Sequence, residues 1–184
     1  MVNMMTRPRI LLTVIALFII VVFVQAWSYQ VQYKNILSFF NEYQVLIVQE
    51  SEILDEWQEA EGDDIEEVEK KARNLNFRMH KLKEEVKAEE IGRSFRGIRA
   101  ARFKLEGAID DSTELLSLLS TISKEKEPGA LPKKDEKRFF QLLASTSAKE
   151  DTVISILIAS RPFPDIYGSL AELRGQRRFF NDFP

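Results

Sequence analysis

Two hydrophobic patterns meet near Trp27. From Ile10 to Trp27 the chain is apolar except at Thr13 and Gln25, and these 18 residues hold no charge, proline or glycine. A helix apolar on every side needs apolar surroundings on every side. As a helix this stretch spans ~27 Å, close to the hydrocarbon thickness of a bilayer. Beyond it the pattern becomes periodic. Tyr29, Tyr33, Ile36, Phe40, Tyr43, Ile47, Glu50, Leu54 and Trp57 step by four and three, and only Glu50 is polar. Such spacing lays one seam along a helix. With no Gly or Pro between the two patterns, the membrane helix is expected to continue into this seam without a break.

Gly62-Asp63-Asp64 should end that helix, with either Asp free to cap the next. Ile65, Val68, Ala72, Leu75, Met79, Leu82 and Val86 form the second seam. Ile91 then falls five residues beyond Val86, beside Gly92, which reads as a turn between Ala88 and Gly92. A single long helix with a stutter is the alternative. A third helix is expected from Ile91 to about Lys124, on Ile91, Phe95, Ile98, Arg102, Leu105, Ile109, Ser112, Leu116 and Leu119. Lys124 to Lys134, with Pro128-Gly129 and Pro132, reads as a loop.

The fourth helix should begin near Asp135, with Phe139, Leu143, Thr146, Glu150, Val153 and Leu157 on its seam. The apolar stretch Val153 to Ala159, interrupted only by Ser155, should be deeply buried. Arg161-Pro162-Phe163-Pro164 breaks the helix, because each proline lacks a donor and restrains the residue before it. A short amphipathic helix from Asp165 to about Phe180 should follow. No period-two alternation bounded by turn residues suggests a strand. The expected fold is all-α: an N-terminal transmembrane helix followed by an antiparallel bundle of three to four long helices. The domain boundaries expected are 1–9 for the N-terminus, 10–27 for the anchor, 28–160 for the bundle and 161–184 for the proline-broken tail.

Charge gives the expected orientation. Arg7 and Arg9 precede the apolar run, and after it only Lys34 is basic before Lys70. Positive charge resists translocation, so the N-terminus should stay in the cytoplasm and the body outside, in the periplasm or at the cell surface. Leu11, Leu12, Ile15, Leu17, Phe18, Ile19, Phe23 and Trp27 would contact lipid. A signal peptide cleaved after Ala26 is the rival, since Val24 and Ala26 are small. The length of the run and its lack of a helix breaker favour the uncleaved anchor.

The net charge of -3 conceals segregation. Ser28 to Glu69 carries 12 acidic residues against Lys34 alone, and Lys70 to Lys104 carries 12 basic ones against four acidic. Facing flanks of opposite sign should pair the acidic first helix with the basic second and third. Arg93, Arg96, Arg99 and Arg102, three apart, form a stripe on one helix. Pairing with the first helix is the expected role, and contact with an anionic surface is the rival. Arg102 also falls on the seam, so it needs a carboxylate or an outlet to solvent. Arg174, Arg177 and Arg178, beside Phe179, Phe180 and Phe183, suit either a membrane surface or a cap on the bundle.

Residues for catalysis are sparse. There is no cysteine, so no disulfide or thiolate site exists. His80 is the one histidine, flanked by Met79 and Lys81, and Phe77 stands where a Glu-x-x-His metal pair needs its glutamate. The phosphate-cradling loop and the nucleophile elbow are both missing. No enzyme, cofactor or metal is expected, and an outward body excludes nucleic acid as partner.

Arg161, Phe163 and Pro164, then Ile166, Leu170 and the aromatic pair Phe179-Phe180, make up a closing R-x-F-P segment and amphipathic helix. This C-terminal layout, with the N-terminal membrane helix and long helices before it, resembles the LemA family. The overlap covers about 25 residues. The first helix departs from the family pattern: Gln44-Val45 through Leu54-Asp55-Glu56-Trp57 is acidic and lacks proline. The resemblance implies a helical architecture and a membrane tether, and brings no catalytic residues. The expected function is a non-enzymatic scaffold or adaptor in the cell envelope. Its expected partners are the lipid bilayer, an envelope or membrane protein, and further copies of itself. The alternative is a ligand-sensing extracytoplasmic bundle that signals through a separate membrane partner.

Overall fold

The computed structural model describes residues 6–60, 64–89, 95–125 and 133–160, with side chains described over 12–60, 64–89, 95–121 and 135–160. Four helices account for nearly all of these residues: α1 Thr6–Glu59, α2 Asp64–Ala88, α3 Arg96–Glu125 and α4 Lys133–Ala159. Among the described residues there is no strand.

α1 is one unbroken helix of 54 residues. At 1.5 Å per residue it is ~80 Å long, so its seam half and its apolar half form a single rod. The apolar half touches little of the chain. Leu12, Ile15, Leu17, Phe18, Ile19, Phe23 and Trp27 are all exposed, and the stretch is long and apolar enough to cross a membrane. Leu11 lies in the helix, outside the described side chains.

From Tyr33 onward the expected seam is the buried face. Tyr33, Ile36, Phe40, Tyr43, Ile47, Glu50, Leu54 and Trp57 are buried, and Tyr29 is half-buried. α2 buries Val68, Ala72, Leu75, Met79, Leu82 and Val86. α3 buries Ile98, Leu105, Ile109, Ser112, Leu116 and Leu119, with Ala101, Ala108 and Leu115 widening its face. α4 buries Phe139, Leu142, Thr146, Glu150, Val153, Ile154 and Leu157.

Polar contacts give the register of each pair. Between α1 and α2, Lys71 meets Glu56 at 2.8 Å and Asn35 meets Glu89 at 3.0 Å, so the two helices run in opposite directions. α2 and α3 also run oppositely: Ser120 donates to Glu69 (3.2 Å), Asn76 to Ser117 (3.0 Å), and Lys83 pairs with Asp110. α3 and α4 do the same, with Arg138 on Glu114 and Lys149 on Asp111, each at 2.5 Å. α4 returns to α1, where the Tyr33 hydroxyl donates to the Leu157 carbonyl at 3.0 Å.

Three expectations need correction. α3 begins at Arg96 rather than Ile91. Phe95 stays outside the helix, its carbonyl accepts the first helical bond from Arg99 N (3.0 Å), and its ring packs on Tyr29. α4 begins at Lys133, which places Asp135 and Glu136 in its first turn, where acids suit the helix dipole. The end of α4 is one-sided rather than deeply buried: Val153, Ile154 and Leu157 are inside, whereas Ile156 and Ile158 are half-buried and Ala159 is exposed. The break after Ala88, followed by an oppositely directed α3, favours the turn over the stutter.

Candidate functional site

Four seam positions hold polar residues where packing would favour apolar ones. They are Glu50 on α1, Ser112 on α3, and Thr146 and Glu150 on α4, and all are buried. Side chains of α1, α3 and α4 meet at this level. Glu50, Thr146, Ser147 and Glu150, with Ile47 and Leu143, line a cavity of about 10 Å³, the space of a single water. Tyr43, fully buried about two turns before Glu50 on α1, reaches Ser112 Oγ with its hydroxyl at 3.4 Å.

This layer is electrostatically tense. Burial pushes Glu50 up to about 8; the Ser112 hydroxyl pulls it back in part, and the charge of Glu150 pushes it up again. Burial also raises Tyr43 well above the ordinary phenol value, assisted by Glu150 and then Glu50. Glu50 Oε2 and Thr146 Oγ1 are buried with no hydrogen-bond partner among the described residues. A carboxyl that is neutral near pH 7 and ionises just above it, inside a helical contact, can take up or release a proton and change how closely its helices pack. The sequence displayed these residues only as polar members of apolar seams, and their convergence depends on the tertiary register.

The second notable region is the end of the helical body next to the apolar run. Tyr29 follows Trp27 by two residues. Its ring meets Phe95 edge-on, with centroids 4.7 Å apart, and its hydroxyl donates to the Ser160 carbonyl. The start of α3 and the end of α4 are thereby fixed at the level where α1 leaves the apolar stretch. α3 and α4 approach closely here, since a Cβ on Gly97 would stand 2.5 Å from Ser160 Oγ. Arg96 and Arg99 are exposed at this end. Arg102 is half-buried and donates to Glu106 at 2.7 Å, so the seam arginine finds its carboxylate on its own helix.

The opposite end of the α1–α2 pair is acidic. Glu52, Asp55, Glu56, Glu59, Asp64, Glu66 and Glu67 are exposed there, and Glu56, Glu59, Asp64 and Glu67 line a groove of about 310 Å³ with Lys71. Charge is thus segregated along the body's axis as well as between helices. The expected pairing of α1 with α2 is seen at Lys71–Glu56.

His80 is exposed on α2, and among the described residues no three His, Asp or Glu side chains gather as a metal site. Arg93, Arg161, Phe163, Pro164, Leu170, Arg174, Arg177 and Arg178 lie outside the described residues. The chain matches no family model, no curated protein and no solved structure.

Proposed function

We propose that this chain is a membrane-anchored, up-down four-helix bundle of LemA-like type that acts as a non-enzymatic scaffold or adaptor in the cell envelope. The observation that carries this reading is α1 itself. One helix leads from an exposed apolar stretch, Leu12 to Trp27, into a seam buried from Tyr33 to Trp57. A helix so divided suits hydrocarbon along one half and helical partners along the other. The body would then stand on the membrane as a rigid platform for an envelope or membrane protein. Carbonate extraction combined with protease treatment of intact cells tests the proposal. Retention in the carbonate pellet, with a C-terminal tag cleaved from outside, is expected. Release by carbonate, or a protected tag, would sink the anchored or the outward part respectively.

A second reading is favoured by the Glu50–Glu150 layer. Because Glu50 belongs to the same helix that would cross the membrane, a change in its protonation or contacts bears directly on the anchor. In that reading the body is a sensor that signals through a separate membrane partner. Recovery of such a partner by crosslinking in wild type but not in Glu50→Gln would favour it.

A further inference from the structure

We propose that the membrane-facing end of the body is a docking site for anionic phospholipid headgroups, formed by Arg96 and Arg99 at the start of α3. The inference rests on the membrane-anchor reading of α1.

Three observations lead to it. The first is position. Arg96 follows Phe95, whose ring lies against Tyr29, and Tyr29 stands two residues, ~3 Å, beyond Trp27. Arg99 is one turn further, ~4.5 Å along the axis. The headgroup layer on each side of a bilayer is roughly 5–7 Å thick. When Trp27 sits at the edge of the hydrocarbon, Arg96 is at headgroup depth, and Arg99, ~9 Å out, reaches back into the layer because helical side chains tilt toward the N-terminus, which in α3 is the membrane end.

The second observation is exposure and sign. Both arginines are exposed, and residues 96–105 contain Arg96, Arg99, Arg102 and Lys104 with no acidic residue. Exposed Lys34 on α1 and Lys87 on α2 add positive charge nearby. Among the described residues, Glu84 pairs with Lys87 at 3.0 Å and Glu106 pairs with Arg102, which offsets the charge of these two acids. The third is polarity. The acidic groove of α1 and α2 lies at the far end, so an anionic surface attracts the near end and repels the other.

Planar guanidiniums donate two parallel hydrogen bonds to a phosphate, and exposed Trp27 supplies the amphipathic ring that favours the same layer. A charge close to an anionic surface contributes about 1 kcal/mol, or about fivefold per arginine. The occupant is therefore lipid of the adjoining leaflet rather than a soluble phosphate.

The test uses the full chain in vesicles of phosphatidylcholine with a minor share of spin-labelled phosphatidylglycerol, compared with spin-labelled phosphatidylcholine. Wild type should enrich the anionic lipid several-fold in its motionally restricted shell, and high salt should weaken the preference. Arg96→Gln with Arg99→Gln should bring the preference close to one without loss of helicity. Lys70→Gln with Lys137→Gln removes equal charge from exposed positions far from the membrane and should leave the preference intact. Equal selectivity in wild type and the arginine variant overturns the site. So does an equal loss in the lysine control, which would mean that net charge alone acts. A chain extracted by carbonate defeats the anchor reading instead, which separates the two failures.

Discussion

Glu50 of α1 and Glu150 of α4 line one small cavity in the buried interior, 2% and 4% exposed respectively. Two carboxyls in one buried site cannot both ionise cheaply, because the interior screens their repulsion poorly. The sign of the resulting pH dependence follows from Glu50, raised from 4.5 to about 8. Below about pH 4.5 it is protonated in folded and unfolded chains alike, and stability is undiminished. Between there and about pH 8 the unfolded chain loses its proton first, and stability falls by up to ~1.4 kcal/mol per pH unit. Above about pH 8 this contribution is flat. Glu50→Gln should flatten the fall measured by thermal unfolding of the full chain in mild detergent. Parallel pH profiles for wild type and variant would refute the assignment.

Replacing the layer with apolar side chains tests its purpose. Glu50→Leu together with Glu150→Leu removes two buried ionisable groups, an exchange that is often neutral or stabilising by about 1–4 kcal/mol. The double variant should melt at or above the wild-type temperature at pH 8. Glu50→Leu alone should fall short of it. A double variant that unfolds more easily than either single one would mean that the carboxyls hold the packing together.

The helices were legible in the sequence, since steps of three and four from Tyr29 to Trp57 and from Val68 to Val86 mark the faces that are buried. The polar layer was not. Glu50, Ser112, Thr146 and Glu150 each interrupt a different local pattern, and only the register between helices brings them together. Charge was misjudged in a similar way. Counting acids on α1 and bases on α2 and α3 suggested flank-to-flank pairing, which Lys71–Glu56 provides at one end. Arg96 and Arg99 fall at the other end because α3 runs away from the apolar stretch, a direction that the expected antiparallel order implies but that a count of charges along the chain does not contain.

Self-association follows from the same accounting. The described seams are buried within one chain, so copies would have to meet through the apolar stretch or through scattered exposed residues such as Val45, Val48 and Phe77. Sedimentation of the full chain in detergent should show any dimer abolished by polar substitutions between Leu12 and Trp27. It should be unaffected by Phe77→Ser. Dissociation by Phe77→Ser would place the contact on α2 instead.

Ion pairs should differ in worth according to burial. Lys149 donates to the Gly107 carbonyl at 3.0 Å and to Asp111 at 2.5 Å, with side chains 28% and 14% exposed for the lysine and the aspartate. Lys149→Met strands a partly buried carboxylate and should cost about 1–3 kcal/mol by denaturant titration. Adding Asp111→Asn should restore part of the loss, because the stranded charge is then gone. Lys71 and Glu56 pair at 2.8 Å but are 43% and 44% exposed, so solvent screens them, and Lys71→Met should barely move the midpoint.

The contact of Tyr33 with Leu157 ties α4 to the helix that bears the anchor. The Leu157 carbonyl lies in the last turn of α4, where a helix has no partner of its own to offer, and the buried Tyr33 hydroxyl donates to it at 3.0 Å. Tyr33→Phe keeps the ring and removes the donor, so a buried carbonyl loses its partner at a cost of about 1–2 kcal/mol. The loss should be local as well as global: amide exchange should quicken in the last turn of α4 while the first turns of α2 stay protected. Uniform acceleration across all four helices would show that the bond stabilises the body as a whole without fastening this end.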